Sequence, residues 1–253
     1  MTSDDYDKPR PFLAHLEELR RTLLGCVAVY GVGVIAAVPL APRIFRWLRA
    51  PLASVTDHPD QFLRSLDITG GFSIAMQLIL WCGLLFSAPF MVMVIARFVF
   101  PALTRRERHV VAMASVAALI LFVFGVAMGY GVTLPVGLKI MLKVHTWLGI
   151  TAEWTATSYI SFAVQLLLAF GLAFELPMVV LALGLLGLVS SDTLRYYRRH
   201  TVVAILILAM VLTPGPDVFS QMVMALPMMV LFELCVWTVW AVEKKRGQPE
   251  GGA

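Results

Sequence analysis

The stretch WTATSYISFAVQLLLAFGLAFELPMVVLALGLLGL at 154–188 holds one charged residue, Glu175, in 35 positions. A helix needs only about 20 apolar residues to cross a bilayer. Five comparable stretches surround it, at about 22–42, 72–96, 110–138, 201–216 and 218–242. Hydrophobic residues make up 59% of the chain and charged ones 14%, against about 25% charged in soluble domains. A soluble core does not require six such runs. The pattern predicts an all-α polytopic membrane protein with six transmembrane helices.

Basic residues set its orientation. One set of gaps carries Lys8, Arg10, Arg20 and Arg21, then Arg97, Arg105, Arg106 and Arg108, then Arg195, Arg198 and Arg199, then Lys244, Lys245 and Arg246. The alternate gaps carry Arg43, Arg46, Arg49, Arg64, Lys139 and Lys143. The richer face is expected in the cytoplasm, with both termini there and the chain in the plasma membrane. The net charge of +4 then reports loop topology. No basic face interleaved with stacking aromatics suggests a nucleic-acid partner. The 21 residues before the first run include five acids, unlike the short basic head of a cleaved signal, so a retained first helix is expected.

The organisation expected is a disordered N-terminus at 1–9, a transmembrane domain at 10–246 and a disordered tail at 247–253. The connection 43–71 is long and charged enough to form a cap, and Trp147 and Trp154 suit a membrane interface. Pro214-Gly215-Pro216 predicts a tight turn between the last two helices, which are both expected to be short. About 14 residues of helix rise only about 21 Å, against a hydrocarbon core of about 30 Å. The fifth helix therefore either begins within Arg195–His200 or sits in locally thinned bilayer.

Candidate functional groups are sparse. At mid-membrane depth a carboxylate costs several kcal/mol or stays protonated, so Glu175 is expected to face the bundle interior or water, as a structural hydrogen-bonding acid or a polar contact point. Glu233 lies nearer the cytoplasmic end and is explained by snorkelling. Gln77, Gln165 and Gln221 are the other strongly polar groups at depth, and Gln221 clusters with Ser220 and Asp217 at the outer end of the last hairpin. On the inner face, helical spacing sets Glu17 beside Arg20 and Arg21, and Glu18 beside Arg21 and Thr22. Glu107 is a lone acid in a basic turn. Such acids are either ordinary rim charges or a receptor for guanidinium groups, which carboxylates bind through two parallel hydrogen bonds.

Cys26, Cys82 and Cys235 lie inside apolar runs without CxxC spacing or a nearby His, and read as small buried hydrophobes. No metal or other cofactor is expected. The chain has no Walker A pattern, no HExxH and no recognisable intramembrane Ser–His dyad, so it does not read as an enzyme. Gly125 and Gly129 form a small-residue packing motif.

Six fragments in order carry a resemblance: HLEELRRTL at 15–23, APL at 50–52, SAP at 87–89, FVFPALTRRERH at 98–109, FGLAFELP at 170–177, and LTPGPDVFSQ at 212–221 followed by ALP at 225–227. Together they resemble the TatC family, the multispanning receptor subunits of the twin-arginine protein translocase. The resemblance implies a glove-shaped, concave bundle of six helices that binds the twin-arginine signal peptides of folded precursors. It implies TatA/TatB-type single-helix partners, self-association in a receptor complex, and transport driven by the proton-motive force. By position, Glu18 and Glu107 match the acids implicated in receiving the arginine pair. Arg20, Pro51 and Phe98 match other parts of the recognition and structural pattern. Glu175 matches the acid of the fourth helix, and Asp217 and Gln221 match the hairpin end where partner helices are expected.

Three positions depart from the pattern: Val94-Ile95-Ala96-Arg97 stands where Gln and Trp are common, Thr22 replaces a second basic residue, and the turn reads PGPD at 214–217. The competing reading from the residues alone is an ion-coupled small-solute transporter using Glu175.

Overall fold

A computed structural model of the chain describes residues 12–54, 63–64, 68–99, 105–151, 153–212 and 218–247, without the side chains of 12–15, 54, 96–99, 105–114, 219 and 245–247. The expected disordered ends, 1–9 and nearly all of 247–253, lie outside these residues, as does the Pro214–Pro216 turn.

The described chain is built of α1 (Phe12–Arg49), α2 (Gly70–Val99), α3 (Arg105–Met128), α4 (Leu134–Trp147), α5 (Ala156–Leu185), α6 (Ser191–Tyr196), α7 (Arg198–Leu212) and α8 (Val218–Gly247). A 3-10 turn, Ala50–Ser54, follows α1, and a π-helical turn, Gly129–Thr133, joins α3 to α4. Five segments are long and apolar enough to cross a membrane: Leu16–Ala53, Gly70–Ile95, Ser115–Trp147, Ala156–Leu185 and Ser220–Lys244. At 15 residues, α7 is the short member of the set and starts at Arg198, within the polar segment where one of the two readings put its beginning. The expectation of two short final helices is half corrected, because α8 runs 30 residues. Its apolar run continues well past Glu233, and the helix extends onward through Lys244–Arg246, so only the hairpin's first arm is truncated.

The all-α expectation holds apart from one two-residue parallel pair, β1 (Leu63–Arg64) against β2 (Trp154–Thr155). It ties together the two connections read as external. The third apolar run also extends further than its hydropathy suggests. Lys139 and Lys143 end the apolar stretch, but their side chains are exposed and the helix carries on to Trp147. Gly149 ends it at φ +70°, its N–H bonding to Thr146 O (3.1 Å) while Ile150 N–H bonds to His145 O (2.9 Å). Gly187 ends α5 the same way at φ +79°, with Leu188 N–H reaching Leu183 O at 3.0 Å. Both are left-handed glycine caps that satisfy the last carbonyls of a helix.

α5 is the hub. α3 and α8 pack along it, α2 packs against both α1 and α5, and α7 pairs with α8. In its most apolar 18-residue window 61% of residues are buried, against 17% for α1. Close helix approach rests on small residues, as expected where apolar burial alone does not drive association. Gly125 and Gly129 both face Phe170 of α5, Gly171 faces the Phe122 ring, and Gly33 of α1 abuts the Gly83 carbonyl of α2.

The far end of α1 is tied down by two tyrosines. Tyr130 in the π turn donates to Trp47 O (2.8 Å) and stacks on the Trp47 ring at 3.8 Å between centroids. Tyr159 of α5 donates to Leu48 O at 2.5 Å. Those carbonyls belong to the last turn of a helix, which has no intrahelical donors for them.

Candidate functional site

The polar groups singled out in the sequence fall into three separate places. The first is the end of the bundle where α1 and α8 respectively begin and finish. Glu17 and Arg20 form an exposed ion pair at 3.6 Å, one helical turn apart. Such a pair contributes at most about 1 kcal/mol, so a ligand can exchange with it cheaply. Glu18 is half-buried, and its backbone carbonyl accepts from the Thr22 hydroxyl at 2.9 Å. Gly25, two turns further along α1, lies against Val94 near the finish of α2. Residue 98 therefore lies at the same end, and residue 107 opens α3, which runs antiparallel to α5 with Ala118 on Met178 and Gly125 on Phe170, so it too lies there. The side chains of Phe98 and Glu107 lie outside the described residues. What the helices establish is that the backbone positions of Glu18, Arg20, Phe98 and Glu107 share one end of the bundle.

Pro51 does not join them. It is buried in the 3-10 turn beyond α1. Thirty-three residues separate it from Glu18, about 50 Å along a helix. Its surroundings are the tyrosine-tied end of α1, remote from the acids.

The second place is the interior. Glu175 is 4% exposed, and neither carboxylate oxygen has a hydrogen-bond partner among the described residues. On the α5 wheel it flanks the stripe of Gly171, Met178 and Ala182. That stripe faces α3, since Gly171 meets Phe122 and Met178 packs with Ala118. Two residues on, Pro177 O accepts from the Cys235 thiol of α8 at 3.2 Å. Glu175 thus sits at the centre of the packing, as its depth in the sequence implied. The three cysteines are all buried and free.

The third place is the opposite end of the last hairpin. The Gln221 amide donates to Leu206 O at 3.0 Å, fastening α8 to α7. Asp217 lies outside the described residues. Fourteen residues of α8 separate Gln221 from Cys235, about 21 Å. Since Cys235 is level with Pro177, Gln221 and Glu175 form two polar sites at different depths.

Sequence reasoning missed several groups. Glu233 does not merely snorkel: it meets Arg198 at 2.8 Å, with both side chains partly exposed. A signal was present, because Arg198 and Glu233 are nearly equidistant from the Pro214–Pro216 turn, and an antiparallel hairpin brings such positions together. Glu243 of α8 accepts Ser191 N–H with both oxygens at 3.1 Å, capping α6 where the positive end of a short helix favours an anion. Gln77 of α2, one of the polar groups at depth read from the sequence, bonds Ser161 of α5.

Helices of this number, length and apolarity, with isolated polar groups at depth, define a multi-pass helical membrane protein without a recognisable catalytic constellation among the described residues. The chain belongs to the TatC family: the family model described as Sec-independent protein translocase protein (TatC) matches residues 14–227. It is 32% identical over 228 residues to the TatC protein of Escherichia coli K12, covering 90% of this chain and 87% of that one. With the TatC protein of Carboxydothermus hydrogenoformans it shares 30% identity, covering 94% and 96%. With that of Akkermansia muciniphila it shares 37% over 174 residues, 69% of this chain and 50% of that one. A crystal structure of the twin-arginine translocase receptor TatC superimposes with a TM-score of 0.73 at 29% identity, covering 90% of this chain and 99% of that one. Family membership makes the chain a protein translocase component.

Proposed function

We propose that this chain is the receptor subunit of a Sec-independent translocase and binds the twin-arginine signal peptides of folded precursors. The observation carrying the proposal is the near-complete match to a solved twin-arginine translocase receptor, 90% of this chain on 99% of that one. Glu18 and Glu107 receive the arginine pair, with Arg20 and Phe98 shaping the surface around them. The chemistry supports this role. The surrounding surface is basic and repels a cationic peptide at long range, so selectivity comes from local bidentate pairing of guanidinium with carboxylate. Lysine, a point charge, pairs less well in that geometry.

In this reading the chain spans the plasma membrane six times, with α7 as the fifth crossing and both termini in the cytoplasm, and forms a concave, glove-like bundle. Gln221 and Asp217 are contact points for TatA/TatB-type single-helix partners, and Glu175 is an interior polar group that such a partner reaches only when the packing around it opens. The receptor self-associates, and the proton-motive force drives transport. Pro51 supports the fold. The solute-transporter reading loses its support, because a buried acid at Glu175 is equally at home in a family of protein translocase components.

The test is photocrosslinking from position 107 to a twin-arginine peptide, beside a twin-lysine control. Glu107→Gln and Glu18→Ala are expected to insert and fold yet lose precursor binding. If both variants crosslink as well as the parent, these acids are not the site.

A further inference from the structure

A cavity of about 300 Å³ opens between α4 and the start of α5. Leu138, Met141, Tyr159 and Phe162 give it an apolar interior, while Glu153, Thr155 and Ser158 supply polar groups. Trp154 also lines it, with the His145 ring edge-on at 6.4 Å. Its size is at the lower end of ligand sites, roughly 300–1,000 Å³. The polar groups lie at the beginning of the membrane-spanning part of α5, and exposed Trp147 stands nearby on the same connection. Tryptophan is enriched at this level, where hydrocarbon meets headgroups.

We infer that this cavity seats one glycerophospholipid with a primary-ammonium headgroup, part of one acyl chain entering among Leu138, Met141 and Phe162 and the headgroup resting at Glu153 while the rest of the molecule stays in the bilayer. An apolar interior beneath a polar edge matches an amphiphile at the interface. Charge selects the headgroup. Glu153 and Arg64 form an exposed pair at 3.5 Å. Such a pair is weak and exchanges partners readily. A zwitterion satisfies both members, ammonium on Glu153 and phosphate on Arg64. A lipid with net negative charge sets its excess charge against Glu153. A quaternary ammonium has no N–H to donate to that carboxylate or to the Thr155 and Ser158 hydroxyls. Because Arg64 belongs to β1 and Glu153 directly precedes β2, the bound lipid also clamps the two connections together.

The full chain is reconstituted in vesicles of equal parts phosphatidylethanolamine, phosphatidylcholine and phosphatidylglycerol, extracted, and examined by native mass spectrometry. One phosphatidylethanolamine is expected to remain per chain, favoured over the other two by about tenfold, as one charge-assisted hydrogen bond supplies. Glu153→Gln loses that preference. Ser158→Trp and Met141→Trp, which fill the cavity from its rim and its wall, lose the retained lipid whatever its headgroup. Equal retention of the three lipids, an unchanged preference in Glu153→Gln, or undiminished lipid in both tryptophan variants overturns the inference. A cysteine introduced by Ser158→Cys is expected to be shielded from maleimide by phosphatidylethanolamine alone. Shielding only when a single-helix partner protein is added would assign the cavity to that protein and overturn the lipid. These readouts involve no signal peptide, so they stand or fall apart from the receptor reading.

Discussion

α1 and α5 are both apolar helices of at least 30 residues, yet they stand in opposite relations to the molecule. The most apolar window of α1 is 17% buried, and Val32, Ile35 and Val38 look outward; that of α5 is 61% buried and touches nearly every other long helix. Their acids differ in the same way. Glu17 on α1 is exposed and pairs with the guanidinium of Arg20. Glu175 on α5 is buried with no partner among the described residues. Apolarity therefore says only that a helix lies in a membrane. Whether its polar groups meet ligands or are sealed inside depends on which helices surround it. An acid on the rim of α1 can be offered to a cationic peptide at little cost, whereas a buried, unpartnered acid on α5 costs stability and persists for another reason.

The largest expected effect follows from that cost. Glu175→Leu should abolish precursor export while raising the thermal stability of the bundle in detergent by about 1–3 kcal/mol, the cost of a buried unsatisfied group. Glu175→Gln should retain most export, since it keeps a hydrogen-bonding side chain of the same shape. Equal loss in the Gln and Leu variants would mean that ionisation itself is required. A lower stability in the Leu variant would mean that Glu175 has a partner in the folded protein.

Next, Phe170→Ala removes a ring packed against Gly125 and Gly129 and should cost about 3 kcal/mol in an unfolding titration. A change below about 1 kcal/mol would show that α5 is not the packing hub. An intermediate case lies at the finish of α8. Glu243→Ala removes the acceptor of Ser191 N–H and should cost about 1 kcal/mol, seen as faster hydrogen exchange across residues 191–196. Unchanged exchange there would remove that cap from the account. The smallest effect belongs to α1: Ile35→Ala should change stability by less than about 0.5 kcal/mol, because an exposed residue facing lipid loses little when truncated. A loss comparable with Phe170→Ala would reveal a protein partner on that face.

Long-period hydropathy exposed the helices, and the mid-stretch position of Glu175 already implied burial. Polar punctuation was a poorer guide to where helices end. Lys139 and Lys143 break the apolar run without breaking the helix, because their side chains reach outward while the backbone ladder continues to Gly149. The α8 helix outlasts its apolar run for the same reason. The π turn at Gly129–Thr133 has no periodicity to betray it within a single glycine-rich apolar run. The β1–β2 pair and the neighbouring cavity depend on two connections meeting from distant parts of the chain, which local pattern does not encode. At the candidate site, the motifs located Glu18 and Pro51 equally well, but the length of α1 separates them. The alternation of basic gaps, not the motif match, carries that separation, since it sets Glu18 on the inner face and Pro51 in the outer connection beyond α1.

The most direct measurement of the receptor reading is the affinity of the reconstituted chain, with its companion helices present, for a signal peptide carrying paired arginines against the same peptide carrying paired lysines. The account predicts clear preference for arginine, lost in the Glu18→Ala, Glu107→Gln double variant and retained in Pro51→Ala. Equal affinity for the two peptides in the parent protein would contradict it.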